Sequence, residues 1–358
     1  MKTLKEFNVT KKRVLVRVDF NVPLDDQGNI LDDFRIKEAI PTIKYLLAKK
    51  AKIILMSHLG EPGGKIVPNL TMDRVQKKLI ELLELVEHID VSVTKTPDCI
   101  GYEIEKYSFG LAPNEILLLE NLRFHKEETE NNQEFAKSLS RLGDIYINDA
   151  FGVCHRAHAS IVGVPAFLEG GIGFLVEKEI KNLQVLLQNP KKPMIAIIGG
   201  KKVETKARLI NKLSENADFI LVGDLIKGEI EAKNMLFKYP EKIIGPVDAV
   251  IYEGKAPDIG PKTIELFKDK IKKAKTIFWN GPLGFVEKEE YVKGTLEIAK
   301  AITKARAFRV AGGGETVEFL IKTGLFSKFN HVSTGGGAML AYLSGEELPG
   351  LEALRQKD

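Results

Sequence analysis

Along nearly its whole length this chain alternates short runs of aliphatic and β-branched residues with amphipathic stretches of helical length. Few architectures accept such an alternation. The runs at 14–18, 52–57, 115–119, 144–148, 194–198, 219–222, 276–279, 309–311 and 331–333 are each about one strand long. Between them the spacing predicts helices over 36–49, 71–85, 133–140, 203–213, 263–273, 291–303 and 316–323. Strands separated by helices return in parallel, so the predicted class is α/β with crossover helices covering the sheets. At 358 residues the chain is long enough for two domains. The stretch 163–173, GVPAFLEGGIG, is rich in Gly and Pro and precedes a long amphipathic segment at 174–188, which places a boundary near 170. The expected organisation is two Rossmann-like domains, 1–170 and 189–344, with parallel sheets flanked by helices and joined by a helix within 171–188. The last residues, 345–358, have an apolar face and no strand to follow, and are expected to pack back onto the first domain.

Composition narrows the class further. Apolar residues make up 44% and charged residues 28%, enough to bury real cores. Fifty-three Lys plus Arg against 49 Asp plus Glu gives +4, too mild a balance for a nucleic-acid coat or a membrane-surface patch. Neither nucleic acid nor a membrane is therefore expected as a partner, and any anion site must be local. Cys99 and Cys154 form no CxxC pair and no disulfide framework, as suits a reducing cytoplasm. The start, MKTLKEFNVTKKR, has no apolar core of a signal peptide, and runs such as 53–56 and 194–198 fall far short of the ~20 residues a membrane helix needs.

Parallel sheets bind ligands at the carboxyl ends of their strands, so the residues following each strand are the informative ones. In the first half these carry side-chain chemistry: Asp19 and Asn21, Ser57 and His58, Asn121 and Arg123, Asn148 and Asp149. Arg17, Arg35, Arg123 and Arg156 lie near predicted strand ends or helix starts, with His58, His155 and His158 close by. Taken singly, each arginine reads as a surface ion pair. Taken together they suit one cleft for a small anion, because guanidinium forks match phosphate and carboxylate oxygens. Asp19 and Asn21 either hydrogen-bond a substrate hydroxyl or close an Asx turn before Pro23. Cys154, His155 and His158 have no partner cluster at zinc-like spacing, so local hydrogen bonding is expected of them rather than a metal.

The second half offers bare backbone instead. GGKKVETK, at 199–206, follows a predicted strand and opens a helix, placing Lys202 and Lys206 on one face. It is not a Walker A sequence, since GxxxxGK[ST] is absent. AGGGET at 311–316 and STGGGA at 333–338 each run from a strand through three glycines into a helix, so the backbone can approach an anion without Cβ obstruction. Close helix-to-strand packing would use the same glycines. Glu315 can serve as a Mg²⁺ ligand, although glutamate in a first helical turn is also ordinary. An arginine-lined anion site on one domain and a glycine-lined nucleotide site on the other is an arrangement suited to phosphoryl transfer in a water-excluding cleft.

Eight motifs carry a family resemblance: RVDFNVPL at 17–24, LMSHLG at 55–60, LLLENLRFH at 117–125, NDAFG with HRAHAS over 148–160, GGKKVETK, DIGP at 258–261, FWNGPLG at 278–284 and HVSTGGGA at 331–338. In content and order they resemble phosphoglycerate kinase. That resemblance implies reversible transfer between 1,3-bisphosphoglycerate with MgADP and 3-phosphoglycerate with MgATP, in glycolysis or gluconeogenesis, by a cytoplasmic monomer whose domains close for in-line transfer. It implies that domain 1–170 binds phosphoglycerate through Asp19, Asn21, Arg35, His58, Arg123 and Arg156. On the nucleotide side, in 189–344, it implies Lys202, Lys206, Asn280, Glu287, Gly314, Glu315, Gly335, Gly336 and Gly337, with Glu315 on Mg²⁺ and with Arg35 and Lys202 catalytic. The nucleophile in the ATP-consuming direction is a carboxylate already ionised at pH 7, so no general base is required.

Three departures from the family pattern stand out. Glu61 replaces the arginine after SHLG, and weaker phosphoglycerate binding is expected unless its carboxylate turns outward. Glu315 replaces an aspartate. VGDLIKGEI, at 222–230, replaces a glycine-rich stretch, and 224–248 is short for the family, which bears on the grip on adenosine. The alternative these changes motivate is a noncatalytic phosphoglycerate or nucleotide binder.

Overall fold

Two six-stranded parallel sheets organise the computed structural model, which describes residues 1–200 and 203–355, the side chains of residues 203–205 and 255 excepted. The first compact unit takes in Met1–Lys178 and the chain from Glu347, and the second is Glu179–Glu346. In the first, the strands are β1 (Arg13–Val18), β2 (Lys52–Met56), β3 (Val93–Lys95), β4 (Ile116–Leu118), β5 (Ile145–Asp149) and β6 (Gly170–Ile172), in the order β3-β4-β2-β1-β5-β6. In the second they are β7 (Met194–Ile198), β8 (Phe219–Val222), β9 (Ile243–Ile244), β12 (Thr276–Asn280), β13 (Phe308–Gly312) and β14 (His331–Ser333), in the order β14-β13-β12-β7-β8-β9. β10 (Ala249–Tyr252) and β11 (Lys255–Ile259) form a separate antiparallel hairpin. Its turn runs through Glu253 and Gly254 at φ +47° and +73°, the left-handed pair that two-residue hairpins favour.

The central strands are buried on both faces, which is why they read as unbroken apolar runs. Ile53 to Met56 and Met194 to Ile198 are wholly buried, and so are Val14, Leu15, Val16 and Val18. Val14 pairs with Ile53 on one side and Ile145 on the other. This in-register stacking ends neighbouring strands at one edge, where the residues of interest follow.

The predicted helix over 71–85 forms as an α-helix at Asp73–Glu81 that widens into a π-helical turn at Leu82–Val86. Helices at Tyr102–Gly110 and Asp224–Ala232 and the strands β3, β6 and β9 lie outside the sequence expectation. Each of those strands is only two or three residues long and sits at a sheet edge, too short to establish a period.

The helix Phe174–Leu187 runs through the boundary between the units. Asp149, at the end of β5, caps its start: Oδ1 accepts hydrogen bonds from the amides of Leu175 (2.8 Å) and Val176 (3.4 Å). Burial pushes this carboxyl up to about 6. Near the C-terminus, the Gly350 amide donates to the Cys154 carbonyl (2.9 Å), and Leu348, Leu351 and Leu354 are buried. A Cβ on Gly350 would lie 2.6 Å from Ile161 Cγ2, so only glycine fits there.

Candidate active site

In the first unit the strand-end side chains form two hydrogen-bonded groups, one around Arg17 and one running from Arg35 through Asn21 and Gly60 to Arg123. Arg17 is fully buried at the end of β1. Its Nε donates to Ser160 Oγ (2.9 Å), its Nη1 to the Val18 carbonyl and its Nη2 to His58 Nδ1 (3.1 Å). Ser160 passes the charge on: its hydroxyl and amide donate to Glu128 Oε1 (2.6 Å) and Oε2 (2.9 Å), and Glu128 is completely buried. A buried guanidinium thus reaches a buried carboxylate through a serine, which satisfies both. Neither Ser160 nor Glu128 was singled out from the sequence. An acid that packs as a core residue leaves no periodic signature.

Arg35 Nη1 donates to Asp19 Oδ2 (2.8 Å) and to the Asn21 carbonyl (3.3 Å). Asn21 Oδ1 accepts from the Gly60 amide (2.9 Å), so Asn21 ties the loop after β2 to the end of β1. Asp19 Oδ1 also accepts from the Asn21 amide (3.2 Å), the Asx closure weighed above. Asn121, after β4, grips both carbonyl and amide of Leu59 (2.7 and 3.2 Å) and the Leu70 carbonyl (2.9 Å).

The electrostatics show that the arginines converge. Burial holds His58 well below the ordinary histidine range, and Arg17, Arg123, Arg35 and Arg156 add to it in that order. His158 is pushed down to about 4 by burial, then by Arg123, Arg17, Arg156 and His155. Both rings are neutral at pH 7. The 3.9 Å approach of His158 Nδ1 to Glu128 is therefore no ion pair. His58 accepts at Nδ1 from Arg17, which leaves its proton on Nε2.

Arg123 is 2% exposed and incompletely satisfied. Its Nη1 donates to the Gly60 carbonyl (2.9 Å) and to Glu61 Oε1 (2.6 Å), while Nε and Nη2 are buried with no hydrogen-bond partner among the described residues. Arg156 Nη1 also reaches Glu61 Oε1, at 3.4 Å. Glu61 does not turn away from the arginines; it pairs with two of them, although its side chain is 69% exposed.

In the second unit glycine backbone takes the place of side chains. After β7 the Gly199 amide donates to the Asn280 carbonyl (2.9 Å) and the Gly200 amide to the Pro282 carbonyl (2.8 Å). A Cβ on Gly199 would collide with the Pro282 carbonyl oxygen. Gly313 adopts φ +101° just before the helix Gly314–Lys322. Asn280 Nδ2 donates to the Gly312 carbonyl (2.7 Å), so Asn280 clasps two neighbouring strand ends. Lys206 is buried and donates to the Gly199 carbonyl. A Cβ built on Gly200 would lie 2.8 Å from Lys206 Nζ and 3.5 Å from Glu315 Oε2, so a cation and a carboxylate converge over the same glycine. Gly335, Gly336 and Gly337 follow β14 and lead into the helix Gly337–Leu343. Lys202 lies outside the described residues.

A small cleft, partly open to solvent, adjoins this edge. Its lining includes Gly200, Asp224, Leu225, Ile226, Pro257, Leu283, Phe285, Glu287 and Glu315. Lys206, Asn280, Gly314 and Gly335–Gly337 are not part of that lining. Asp258 shapes the cleft from behind, accepting from the amides of Ile259 (2.9 Å) and Gly294 (2.6 Å). Thr295 Oγ1 accepts from the amides of Leu283 (3.0 Å) and Gly284 (3.1 Å). Burial raises the Asp258 carboxyl to about 6. Asp224, in the segment that departs from the glycine-rich pattern, is also raised to about 6, by burial and then by Asp258 and Asp248 against the opposing Lys227. Its Oδ2 is buried without a partner among the described residues.

A family model described as phosphoglycerate kinase matches residues 4–236 and 229–346. The chain belongs to the phosphoglycerate kinase family. The junction of the two matched blocks falls within the short 224–248 segment. Curated phosphoglycerate kinases from Finegoldia magna and Aquifex aeolicus are 42% and 40% identical, the first covering 99% of both chains and the second 100% of this chain and 99% of its own. Those alignments run to 397 and 399 positions against 358 residues, so the relatives carry residues this chain lacks. Among solved structures, phosphoglycerate kinase from Pyrococcus horikoshii OT3 is 34% identical with a TM-score of 0.85, and that from Coxiella burnetii is 31% identical with a TM-score of 0.82. Each covers 99% of this chain and 98% of its own.

Proposed function

We propose that this chain is a phosphoglycerate kinase that transfers a phosphoryl group reversibly between 1,3-bisphosphoglycerate and MgADP. The observation that carries the anion half is Arg123, a buried guanidinium in a four-arginine cluster with two N–H-bearing nitrogens left unpartnered. A buried donor without an acceptor costs about 1 to 3 kcal/mol, and an incoming oxyanion recovers it. Asp19, Asn21, Arg35, His58, Arg123 and Arg156 then bind phosphoglycerate, with neutral His58 offering its Nε2 proton. The glycine edge after β7, β12, β13 and β14, with Lys206, Asn280, Glu287 and the adjoining cleft, binds the nucleotide.

In the ATP-consuming direction a carboxylate oxygen of 3-phosphoglycerate forms a bond to the γ-phosphorus while the bond from that phosphorus to the bridging oxygen breaks, and ADP leaves. No proton moves. What the protein supplies is charge complementarity to the transferring group, from Arg35, Lys202 and backbone N–H groups. Mg²⁺, bound as part of the nucleotide complex, would neutralise phosphate charge. Glu315, exposed at the start of its helix and close to Gly200, is the carboxylate suited to hold it, since Mg²⁺ takes one or two carboxylates together with phosphate oxygens. No helix among the described residues is long and apolar enough to cross a membrane, and we read the enzyme as a cytoplasmic monomer of glycolysis or gluconeogenesis.

A coupled assay tests this: ADP should form from ATP only when both 3-phosphoglycerate and Mg²⁺ are present. Binding of both ligands without turnover would favour the noncatalytic binder instead. Within the enzyme reading, Lys202→Ala is expected to lower kcat far more than it raises KM, and an unchanged kcat would remove Lys202 from the mechanism.

A further inference from the structure

We propose that Glu61 is a tethered anion that occupies the Arg123–Arg156 pair when phosphoglycerate is absent, and that phosphoglycerate binds by displacing it. This rests on the phosphoglycerate reading above and adds a residue that sets the affinity of that site.

The geometry at Glu61 combines a strong contact with an easy exit. Its Oε1 sits 2.6 Å from Arg123 Nη1 and 3.4 Å from Arg156 Nη1. Arg123 is buried, so a charge-assisted hydrogen bond to it counts for more than one between two solvated side chains. The Glu61 side chain, by contrast, is 69% exposed, so the carboxylate regains water at once on leaving. The neighbouring backbone is fixed independently. Leu59 is held at both amide and carbonyl by Asn121, and Gly60 at its amide by Asn21 and at its carbonyl by Arg123; the Gly64 amide donates to the Arg123 carbonyl (3.2 Å). Release of Glu61 is therefore a rotation about its own side-chain bonds, and the loop stays where it is.

The contact is also an incomplete one. Glu61 presents one oxygen to one nitrogen of Arg123, while Nε and Nη2 of the same guanidinium remain buried and unpartnered. A tetrahedral oxyanion can engage a guanidinium edge through two oxygens at once, which the tethered carboxylate in this position does not do. The site is thus held by an occupant weaker than the ligand it awaits. A carboxylate on the same loop competes at a high effective concentration, and the apparent affinity for any external anion falls by the fraction of molecules in which Glu61 has left.

This makes a sharp demand on measurement. Displacing Glu61 costs the same whichever anion does it, so removing the charge should improve every competing anion by one common factor. For Glu61→Gln in the full chain, we expect the KM for 3-phosphoglycerate and the inhibition constant for inorganic sulfate to fall together, by about 3- to 10-fold if the site is free of Glu61 in roughly a tenth to a third of molecules. The gain should appear in KM rather than in kcat. Glu61→Ala should behave alike, which separates loss of charge from a new contact made by the glutamine. Unchanged or raised values would overturn the proposal, since a Glu61 that contacts bound substrate gives a raised KM on neutralisation. So would a fall confined to one of the two anions. Calorimetric titration of the same variants with 3-phosphoglycerate and sulfate reads the competition without turnover. If the parent protein binds both anions but shows no phosphoryl transfer, the functional reading fails while tighter binding by the variants still upholds the role of Glu61.

Discussion

The two sheets share an architecture and differ in what their carboxyl edges expose. The first presents arginine, histidine, asparagine and aspartate side chains bonded to one another across strands; the second presents glycine backbone beside an apolar-walled cleft. Burial disfavours the charged form at both edges, and what differs is which groups it acts on. Around the first edge, burial and clustered guanidinium groups suppress imidazole charge, holding His158 at about 4, while burial raises the Asp149 carboxyl to about 6. Around the second, burial keeps carboxyls at Asp224 and Asp258 near 6. A small, charge-dense ligand needs many directed cations. A nucleotide needs close backbone approach to its phosphates and a slot for its base, which side-chain bulk would obstruct. On the proposed assignment, the same strand-end geometry would serve two ligand classes through side-chain content alone.

The largest test of that contrast is Arg123→Met, which keeps the aliphatic stem and removes the fork. Losing one or two charge-assisted hydrogen bonds of about 1.5 to 3 kcal/mol each should weaken 3-phosphoglycerate binding on the order of 100-fold, with ADP affinity unaltered. Titration calorimetry with each ligand reads both. An equal loss for ADP would break the assignment of separate ligands to separate edges. A smaller effect of the opposite pattern is expected for Gly199→Ala, whose methyl group has no room against the Pro282 carbonyl. Displacing that loop should cost about 1 to 3 kcal/mol and lower ADP affinity roughly tenfold while phosphoglycerate binding persists. Unchanged ADP binding with a shifted melting temperature would confine the role of Gly199 to packing.

The features legible in the sequence are those that depend on repetition or on strand ends. Met194–Ile198 reads correctly to the residue because it is central and buried on both faces, and Gln133–Ser140 because its apolar spacing is that of a helix lying on a core. β6 is Gly-Gly-Ile, a strand only because Tyr146 pairs with Gly170 and the edge needs a partner, and nothing local announces it. Arginines at successive strand ends were readable as a group because parallel strands in register finish at one edge. Glu61 was readable as a charge but not as a partner. Its expected conflict with substrate follows from sign alone, whereas its actual pairing depends on how Asn21 and Asn121 pin the loop. Asn280 shows the same limit, its side chain clasping a carbonyl on the adjacent strand.

The smallest expected effects are on stability against pH, and they should have opposite signs at His158 and at Asp224. His158 titrates near 4 in the folded chain and near 6.5 when unfolded, so between those values the unfolded state binds more protons. Its contribution is present above about 6.5 and is lost as pH falls towards 4. His158→Gln should flatten the acid limb of a plot of melting temperature against pH over that window. Asp224 is raised from 3.8 to about 6, so there the folded state binds more protons. Its contribution is present below 3.8 and is lost as pH rises through 6, leaving at pH 7 a carboxylate with one buried, unpartnered oxygen. Asp224→Asn removes that charge without changing size. After allowance for solvent screening it should raise the melting temperature at pH 7 by on the order of 1 °C and leave it nearly unchanged at pH 4. A loss of stability at pH 7 would mean that the ionised form is held by Lys227, and the opposite signs at His158 and Asp224 would then not hold.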